Sequence, residues 1–357
     1  MSDRPSVVIG MSGGVDSSVA AALLVSQGYK VTGVMLRLWS QPGLEESNRC
    51  CTPDSMAQAR RVAAILGIPF YALDVQERFW NLVVESFIER YADGVTPNPC
   101  LVCNRQIRWG FMLNQALAMG ADFLATGHYA RTERDQTGKV HLLRGLDPKK
   151  DQSYVLSVLD QEQLQHSLFP LGGLEKTKVR ELAHEFGLPV AERADSQDLC
   201  FLAGGDYREF LSKYAPTASK PGEIVTRSGN VLGQHQGLAN YTIGQRKGLG
   251  IAAPEPLFVL EKDLIRNALI VGYQSDLGQS TLRTGPVNWI SVDPPTNDLR
   301  VQVKIRYRAD FAWGILHASD DGCATVDFES PLRDITAGQQ AVFYDGDDVL
   351  GGGIIRS

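Results

Sequence analysis

Apolar residues in the first half of the chain switch between the two-residue period of strands and the 3.6-residue period of helices. Val7-Val8-Ile9 is a β-prone run that enters a Ser-Gly-Gly turn, and a helical pattern begins at about Ser17 and runs through Val19 to Leu24 until Gly28 can end it. Lys30 to Leu38 reads as a second strand, with Val31, Val34, Leu36 and Leu38 apolar. Thr52-Pro53-Asp54-Ser55 predicts a helix start, with a hydroxyl N-cap, a proline at the first helical position and an acid in the first turn. Gly67 and Pro69 close that helix. Phe70 to Asp74 and Phe123-Leu124-Ala125 read as further strands, and Phe79 to Tyr91 and Asn104 to Met119 as helices. Strands alternating with helices of this length predict an α/β fold with a doubly wound, mostly parallel sheet, assigned to residues 1–206.

From about Gly204 the pattern shortens. Gly222 to Val225, Ser228 to Asn230, Phe258 to Leu260 and Ala268 to Val271 are β-runs between turns, and predict a small β-rich central domain over 207–280. Residues 281–357 read as a C-terminal β-barrel. Within it Val301 to Arg308 alternates strictly, which puts Val301, Val303, Ile305 and Tyr307 on one face and Lys304, Arg306 and Arg308 on the other. That region holds seven Lys and Arg against eleven Asp and Glu, so a basic face stands out in it. Tyr344-Asp345-Gly346-Asp347 predicts a hairpin turn near the end. Lys176 to Phe186 is an amphipathic helix, and its cations Lys176, Lys178 and Arg180 need be no more than a solvated face.

Composition narrows the class. The 357 residues are 43% hydrophobic and 21% charged, enough for two to three domains with apolar cores. No apolar run reaches the roughly 18 residues of a membrane span, so no membrane partner is expected. The first residues lack the basic-then-apolar form of a signal peptide, and six cysteines in a chain of this size do not make a disulfide scaffold. A cytoplasmic, reducing setting with chemically active thiols is the expectation. A net charge of −6 weighs against a generic nucleic-acid binder and requires any RNA contact to come from local basic patches.

Candidate chemistry begins in Gly10-Met11-Ser12-Gly13-Gly14-Val15-Asp16-Ser17. A strand–turn–helix unit aims unsatisfied N–H groups and the positive end of a helix dipole at an anion. Gly13 and Gly14 let the backbone approach it, and Ser12 and Ser17 add hydroxyl donors. No lysine follows the glycines, so this is not the G-x-x-x-x-G-K-[ST] loop, nor does it fit G-x-G-x-x-G. Ser-Gly-Gly-Val-Asp-Ser resembles the pyrophosphatase (PP) loop of enzymes that split ATP into AMP and pyrophosphate. Asp16 is a candidate Mg²⁺ partner, or simply an acid at a helix start. Ligands in such sheets bind beyond the C-terminal strand ends, where the segment around Leu36 and Thr126-Gly127-His128 also fall.

The second centre is Pro97-Asn98-Pro99-Cys100-Leu101-Val102-Cys103. A helix starting at Cys103 or Asn104 lowers a nearby thiol from its usual pKa of about 8.5, and Arg105 and Arg108 add positive potential. Cys-x-x-Cys alone also fits half a zinc knuckle, a redox pair or two core thiols. The vicinal Cys50-Cys51 could join a zinc site with Cys100 and Cys103, or be incidental loop thiols.

The motifs gain specificity together. Ser-Gly-Gly-Val-Asp-Ser at 12–17, Pro-Asn-Pro-x-x-x-Cys at 97–103, Ala-Thr-Gly-His-Tyr at 125–129, Lys-Asp-Gln-Ser-Tyr at 150–154 and Ser-Gln-Asp-Leu-Cys-Phe at 196–201 occur in that order. Gly-Gln-Arg-Lys-Gly-Leu-Gly at 244–250, Arg-Tyr-Arg at 306–308 and Leu-Gly-Gly-Gly-Ile-Ile at 350–355 follow. Over nearly its whole length the chain resembles the bacterial tRNA-uridine 2-sulfurtransferase family. The resemblance implies ATP on Gly10 to Ser17 with Leu36 near the adenine and Gly127 closing the site. It implies AMP transfer to the uracil C2 oxygen of the wobble uridine, in tRNA for Lys, Glu and Gln. Cys200 would carry a persulfide, with Cys103 releasing the sulfur or assisting through a disulfide. Asn98, Pro99, His128, Lys150, Asp151, Gln152, Arg306, Tyr307 and Gln339 would contact tRNA. The sulfur donor would be a cysteine desulfurase, a sulfur-relay protein or free sulfide.

Cys100 departs from the better-known family form, which has Asp there. Cys100, Cys103 and Cys200 could hold three irons of a [4Fe–4S] cluster whose fourth iron binds sulfide. Persulfide relay and cluster stay open at this point. For Lys149 to Tyr154, two cations, an amide and a ring suit phosphate positioning and base stacking, or a helix start capped by Asp151. Two other readings use the same residues: another adenylating ligase or amide synthetase on the loop, and a non-catalytic RNA-binding protein with a cysteine-bound zinc.

Overall fold

Strands β1 (Ser6–Gly10), β2 (Lys30–Arg37), β3 (Phe70–Asp74) and β4 (Phe123–Ala125) are followed by a hairpin, β5 (Ala130–Arg134) and β6 (Val140–Arg144), and then by β7 (Ser167–Leu168). In the computed structural model, which describes residues 4–43, 52–194, 199–202 and 204–356 and only the backbone of Thr217, five of these make one parallel sheet in the order β3-β2-β1-β4-β7. Cys50 and Cys51 lie outside the described residues. Alternation along β1 sends Val7 and Ile9 to one face, against Val19, Ala20 and Leu24 of helix Val15–Ser26 and Val179 and Ala183 of helix Lys176–Glu185. Val8 faces the other way, onto Trp109, Met112 and Leu113. Helices on both faces bury both sides of the sheet, as its apolar strands require.

The helix starts follow their capping residues. Thr52 Oγ1 accepts from Ser55 N at 3.0 Å ahead of helix Pro53–Leu66, and Gly67 ends it at φ +65°. Residues 76–92 and 99–118 are continuous helical runs, each containing π-type turns, at Trp80–Val84 and Cys103–Met112. The second run begins at Pro99, with Asn98 as N-cap accepting from Cys100 N at 3.1 Å. The start expected at Cys103 or Asn104 is therefore corrected by one turn: a capping amide followed by proline is the stronger signal.

The rest of the chain is β-rich. β8 (Gly222–Thr226), β9 (Val231–His235), β10 (Phe258–Asp263) and β11 (Ala268–Gly272) form a sheet in the order β10-β11-β8-β9. Ser228 to Asn230, expected as a β-run, is the turn between β8 and β9, with Gly229 at φ +86°. β12 (Gln279–Trp289), β13 (Leu299–Lys304), β14 (Ala312–Ala318), β15 (Ala324–Leu332), β16 (Gln340–Asp345) and β17 (Asp348–Ile355) close into a six-strand barrel through the β12–β17 pairing. The expected turn joins β16 to β17, with Gly346 at φ +59°. The β5–β6 hairpin, which carries no strong turn dipeptide, extends the barrel sheet through β6–β17. The first part of the chain thus lends two strands to the last.

Strand β13 ends at Lys304, so the alternation expected through Arg308 stops short. Lys304 is buried, and 305–308 turn over the barrel rim. The expected basic sheet face is replaced by a rim. Among the described residues no helix is long and apolar enough to cross a membrane.

Candidate active site

The strand order reverses between β1 and β4, and Met11 to Gly14 turn the chain over the sheet edge at that point. Open α/β sheets bind ligands at such a crevice. Met11 and Val15 are buried anchors on either side of the turn, and Met11 N donates to Val34 O at 2.8 Å. Between them Ser12 is exposed. Ser12 N donates to Ser17 Oγ at 3.1 Å, and the two hydroxyls are 3.2 Å apart. Gly13 takes φ +72°, and a Cβ there would meet the Ser55 carbonyl oxygen at 2.2 Å. Across the crevice Gly127 crowds the first turn of the helix, where a Cβ would lie 2.9 Å from Asp16 C and Ser17 N. Gly10 and Gly14 complete the turn, and Leu36, half-buried on β2, borders the same edge. The arrangement is a backbone cradle of glycines and hydroxyls at a helix N-terminus, suited to phosphate.

The loop does hold a lysine, from elsewhere in the chain. Lys176 Nζ lies 2.6 Å from Asp16 Oδ1, and its side chain is only 11% exposed. Tyr129 OH donates to the same oxygen at 2.7 Å, and Lys176 sits over the Tyr129 ring. Arg193 braces the back of the loop, donating to Gly13 O at 3.3 Å and Ser55 Oγ at 3.1 Å while pairing with Asp54 at 2.7 Å. Sequence reasoning treated Lys176 as solvated and did not single out Arg193. The one available signal was that Lys176 opens an apolar-faced helix, the position that points along the sheet edge.

The thiols lie on the other side of the helical run 99–118. Cys100 is exposed in its first turn and close enough to Tyr307 to influence that phenol. Cys103 is buried among Phe79, Phe87, Ile107 and Phe201, and Cys200, half-buried at the start of the turn Cys200–Leu202, packs against the same cluster. Burial pushes the Cys103 thiol up, and the Arg108 guanidinium hydrogen-bonded to it pulls the other way. The lowering expected from a helix start at Cys103 is thus corrected: the thiol sits one turn inside the helix and away from water. Arg108 Nη1 also reaches His128 Nε2 at 3.1 Å. Arginine can only donate, so Nε2 accepts and Nδ1–H donates to Thr126 Oγ1 at 2.7 Å. His128 is buried and held neutral, its pKa driven well below the usual histidine value by burial and by Arg108. A continuous chain Thr126–His128–Arg108–Cys103 therefore connects the nucleotide crevice to a thiol.

The remaining candidates converge on the seam between helix 99–118 and the barrel. Gln339 Nε2 donates to Thr96 O at 2.7 Å and Thr96 N donates to Ala337 O at 3.0 Å, so the barrel holds the approach to Asn98 and buried Pro99. Asp151 is buried; its carboxylate accepts from Gly145 N, Ser153 N and Ser153 Oγ. Gln152 Oε1 accepts from Tyr129 N at 3.0 Å, and Lys150 is half-buried beside them. Tyr154 is fully buried and donates to Gln340 O at 2.9 Å, so the ring expected to stack on a base packs in the core instead. Arg306 Nη2 binds Ile243 O at 3.1 Å and Thr336 Oγ1, and Tyr307 lies next to Tyr154.

Metal groups fit unequally. Lys176 and Tyr129 both hold Asp16 Oδ1, which leaves Oδ2 as one carboxylate oxygen for Mg²⁺, a cation that binds through one or two carboxylates plus phosphate oxygens. A cluster on Cys100, Cys103 and Cys200 does not fit. Cys100 is exposed while Cys103 is buried in an apolar cluster, and among the described residues no three His, Cys, Asp or Glu side chains are grouped to hold a metal.

The sequence matches three family descriptions in succession: tRNA methyl transferase HUP domain over residues 5–204, tRNA methyl transferase PRC-barrel domain over 208–273, and aminomethyltransferase beta-barrel domain over 279–355. It is 48% identical to the tRNA-specific 2-thiouridylase MnmA of Magnetococcus marinus over 357 residues, covering 99% of this chain and 100% of that one. It is likewise 48% identical to the protein of that name from Moorella thermoacetica, covering 98% and 99%. Among solved structures, NMN synthetase from Francisella tularensis is 18% identical over 60% of this chain and 78% of its own, at a TM-score of 0.35.

Proposed function

The chain belongs to the tRNA-specific 2-thiouridylase family, and we propose on that footing that it uses ATP to replace the C2 oxygen of the wobble uridine of tRNA with sulfur. The observation that carries the reading is the joining of a phosphate cradle to a thiol through Thr126, His128, Arg108 and Cys103.

A uracil C2 oxygen is a poor leaving group. Attack of that oxygen on the α-phosphorus of ATP expels pyrophosphate and leaves AMP on the oxygen. Gly10 to Ser17 and Gly127 hold the phosphates, Leu36 borders the adenine, and Lys176 supplies the cation the loop lacks in line. Mg²⁺ at Asp16 would neutralise phosphate charge. A sulfur nucleophile then attacks C2 and AMP leaves.

Two relays supply that sulfur. In one, the Cys103 thiolate attacks the inner sulfur of a Cys200 persulfide, forming a Cys103–Cys200 disulfide and expelling sulfide, which adds to C2. In the other, the persulfide's outer sulfur adds to C2, and Cys103 then forms a disulfide with Cys200, freeing the 2-thiouridine. Supporting a relay over a cluster is the packing of Cys103 and Cys200 in one apolar cluster. Arg108 is placed to stabilise the Cys103 thiolate. Asn98, Pro99, Lys150, Asp151, Gln152, Arg306, Tyr307 and Gln339 shape the seam that receives the anticodon loop, in tRNA for Lys, Glu and Gln. A cysteine desulfurase or a relay protein transfers persulfide sulfur to Cys200 in the cytoplasm; free sulfide loads it only by opening a Cys103–Cys200 disulfide, which leaves the Cys200 persulfide and the Cys103 thiolate. Release of pyrophosphate from ATP tests the first half: it should need tRNA, and release indifferent to tRNA contradicts it.

A further inference from the structure

Two arginines stand behind the phosphate loop, and the chemistry described so far gives neither a part. Arg193 closes a turn that buried Leu188 and Val190 fix to the core of the parallel sheet, its own N–H donating to Val190 O at 3.0 Å. Its Nη1 donates to Gly13 O at 3.3 Å, and its Nη2 reaches Ser55 Oγ at 3.1 Å and Asp54 Oδ2 at 2.7 Å. One planar fork thus ties the loop to the first turn of helix Pro53–Leu66, which a lysine could not do at both points. Arg180, on helix Lys176–Glu185, holds the backbone that carries Arg193. Its Nη1 donates to Ala191 O at 2.8 Å, and Nη1 and Nη2 both reach Arg193 O at 3.2 Å. Arg180 is therefore not the solvated helix cation that its amphipathic helix suggests. We propose that Arg180 and Arg193 are positioning residues for the reaction of ATP, together fixing the Gly13–Gly14 peptide so that the Gly14 N–H faces the phosphates.

Backbone geometry makes the link. Among the described residues no peptide bond is cis, and in a trans peptide the C=O and N–H point in opposite directions. The Gly13 carbonyl is turned back onto the Arg193 guanidinium, so the N–H of the same peptide is turned forward into the crevice. That N–H belongs to Gly14, the N-cap of helix Val15–Ser26, and joins the donors at the positive end of its dipole. A cation behind the carbonyl also polarises the peptide and strengthens its N–H as a donor.

Packing alone would not hold this orientation. Gly13 is seated on the Ser55 carbonyl, but a Cβ on Gly14 would meet only Ser12 Oγ, at 3.5 Å. A peptide between two glycines can rotate at little steric cost, so the carbonyl needs a partner to keep it turned. Helix Lys176–Glu185 supplies support on both sides. Lys176 binds Asp16 at 2.6 Å in front of the loop, and Arg180, one turn further on the same face, holds Arg193 behind it. Buried Val179 and Ala183 seat that helix in one core with Val7 and Ile9 of β1. This inference deepens the reading of Gly10 to Ser17 as the ATP site and rests on it.

The test is steady-state, tRNA-dependent pyrophosphate release by the full chain, with ATP and tRNA varied separately. The proteins are the wild type, Arg193→Met, Arg180→Ala and the double variant. Loss of one charge-assisted hydrogen bond to phosphate should raise the KM for ATP about tenfold in Arg193→Met and leave the KM for tRNA unchanged. A variant that only folds poorly has fewer active molecules, which lowers kcat and moves neither KM. Arg180→Ala should raise the KM for ATP as well, and the double variant should rise no further than Arg193→Met, because Arg180 acts through Arg193. A wild-type KM for ATP in Arg193→Met overturns the positioning role, and a double variant whose rise is the product of the two single ones overturns the relay from Arg180. A wild type that releases no pyrophosphate overturns the ATP reading and this inference with it.

Discussion

Lys176 Nζ and Asp16 Oδ1 stand 2.6 Å apart although 160 positions separate them in the chain. The contact brings a lysine to a loop that has none in line, as the proposed reaction at phosphorus would use. Asp16 and the Tyr129 ring hold the ammonium at the crevice before any nucleotide arrives, so its charge is pre-placed where negative charge develops.

Lys176→Ala should therefore lower tRNA-dependent pyrophosphate release by on the order of 10²-fold, the usual cost of removing one preorganised donor. Affinity for tRNA should hold. A rate equal to wild type returns Lys176 to the role of a solvated helix cation.

The thiols should separate from adenylation. Cys103→Ser and Cys200→Ser should each abolish 2-thiouridine while pyrophosphate still forms and AMP stays on the tRNA. Under the relay Cys100→Ala should keep much of its thiolation. Its complete loss, together with iron in anaerobically purified wild type, would bring back the cluster the geometry disfavours.

These contrasts show what the sequence could and could not reveal. The Gly10 to Ser17 turn was legible because its glycines and hydroxyls are contiguous, and the φ +72° of Gly13 leaves little room for another residue. The parallel sheet was legible for the same reason: each strand and helix carries its own period and caps. Lys176 was not, since an amphipathic helix looks alike whether its first lysine meets water or a carboxylate on another element. Tyr154 failed the other way. Beside Lys150 and Gln152 it reads as part of a polar RNA-facing motif, but the barrel supplies the Gln340 carbonyl that lets its hydroxyl be buried. Arg306 and Tyr307 lost their strand alternation because β13 ends where the barrel rim meets the Thr242–Lys247 loop, a tertiary constraint with no local signal.

Gln339 is expected to act through the chain it holds. Gln339→Ala removes the donor to Thr96 O and should cost about 1 kcal/mol of stability in chemical denaturation. Because Thr96 leads into Asn98 and Cys100, thiolation should fall more than ATP cleavage. Equal losses in both would reduce Gln339 to a general fold contact.

His128 should give stability a recognisable pH dependence. It is neutral in the fold with a pKa well below 6.5, so between 6.5 and that lower value the unfolded chain binds a proton the native state refuses. Stability should then fall as pH drops below 6.5, and His128→Gln should lessen that fall. Parallel curves for the two proteins would show that His128 does not titrate differently on unfolding.

The most direct measurement is nucleoside mass spectrometry of tRNA incubated with the protein, ATP, and a cysteine desulfurase with cysteine as the sulfur donor. The account predicts 2-thiouridine that appears only when ATP is present, in step with AMP and pyrophosphate. ATP cleavage with unmodified uridine, or 2-thiouridine formed without ATP, would contradict it.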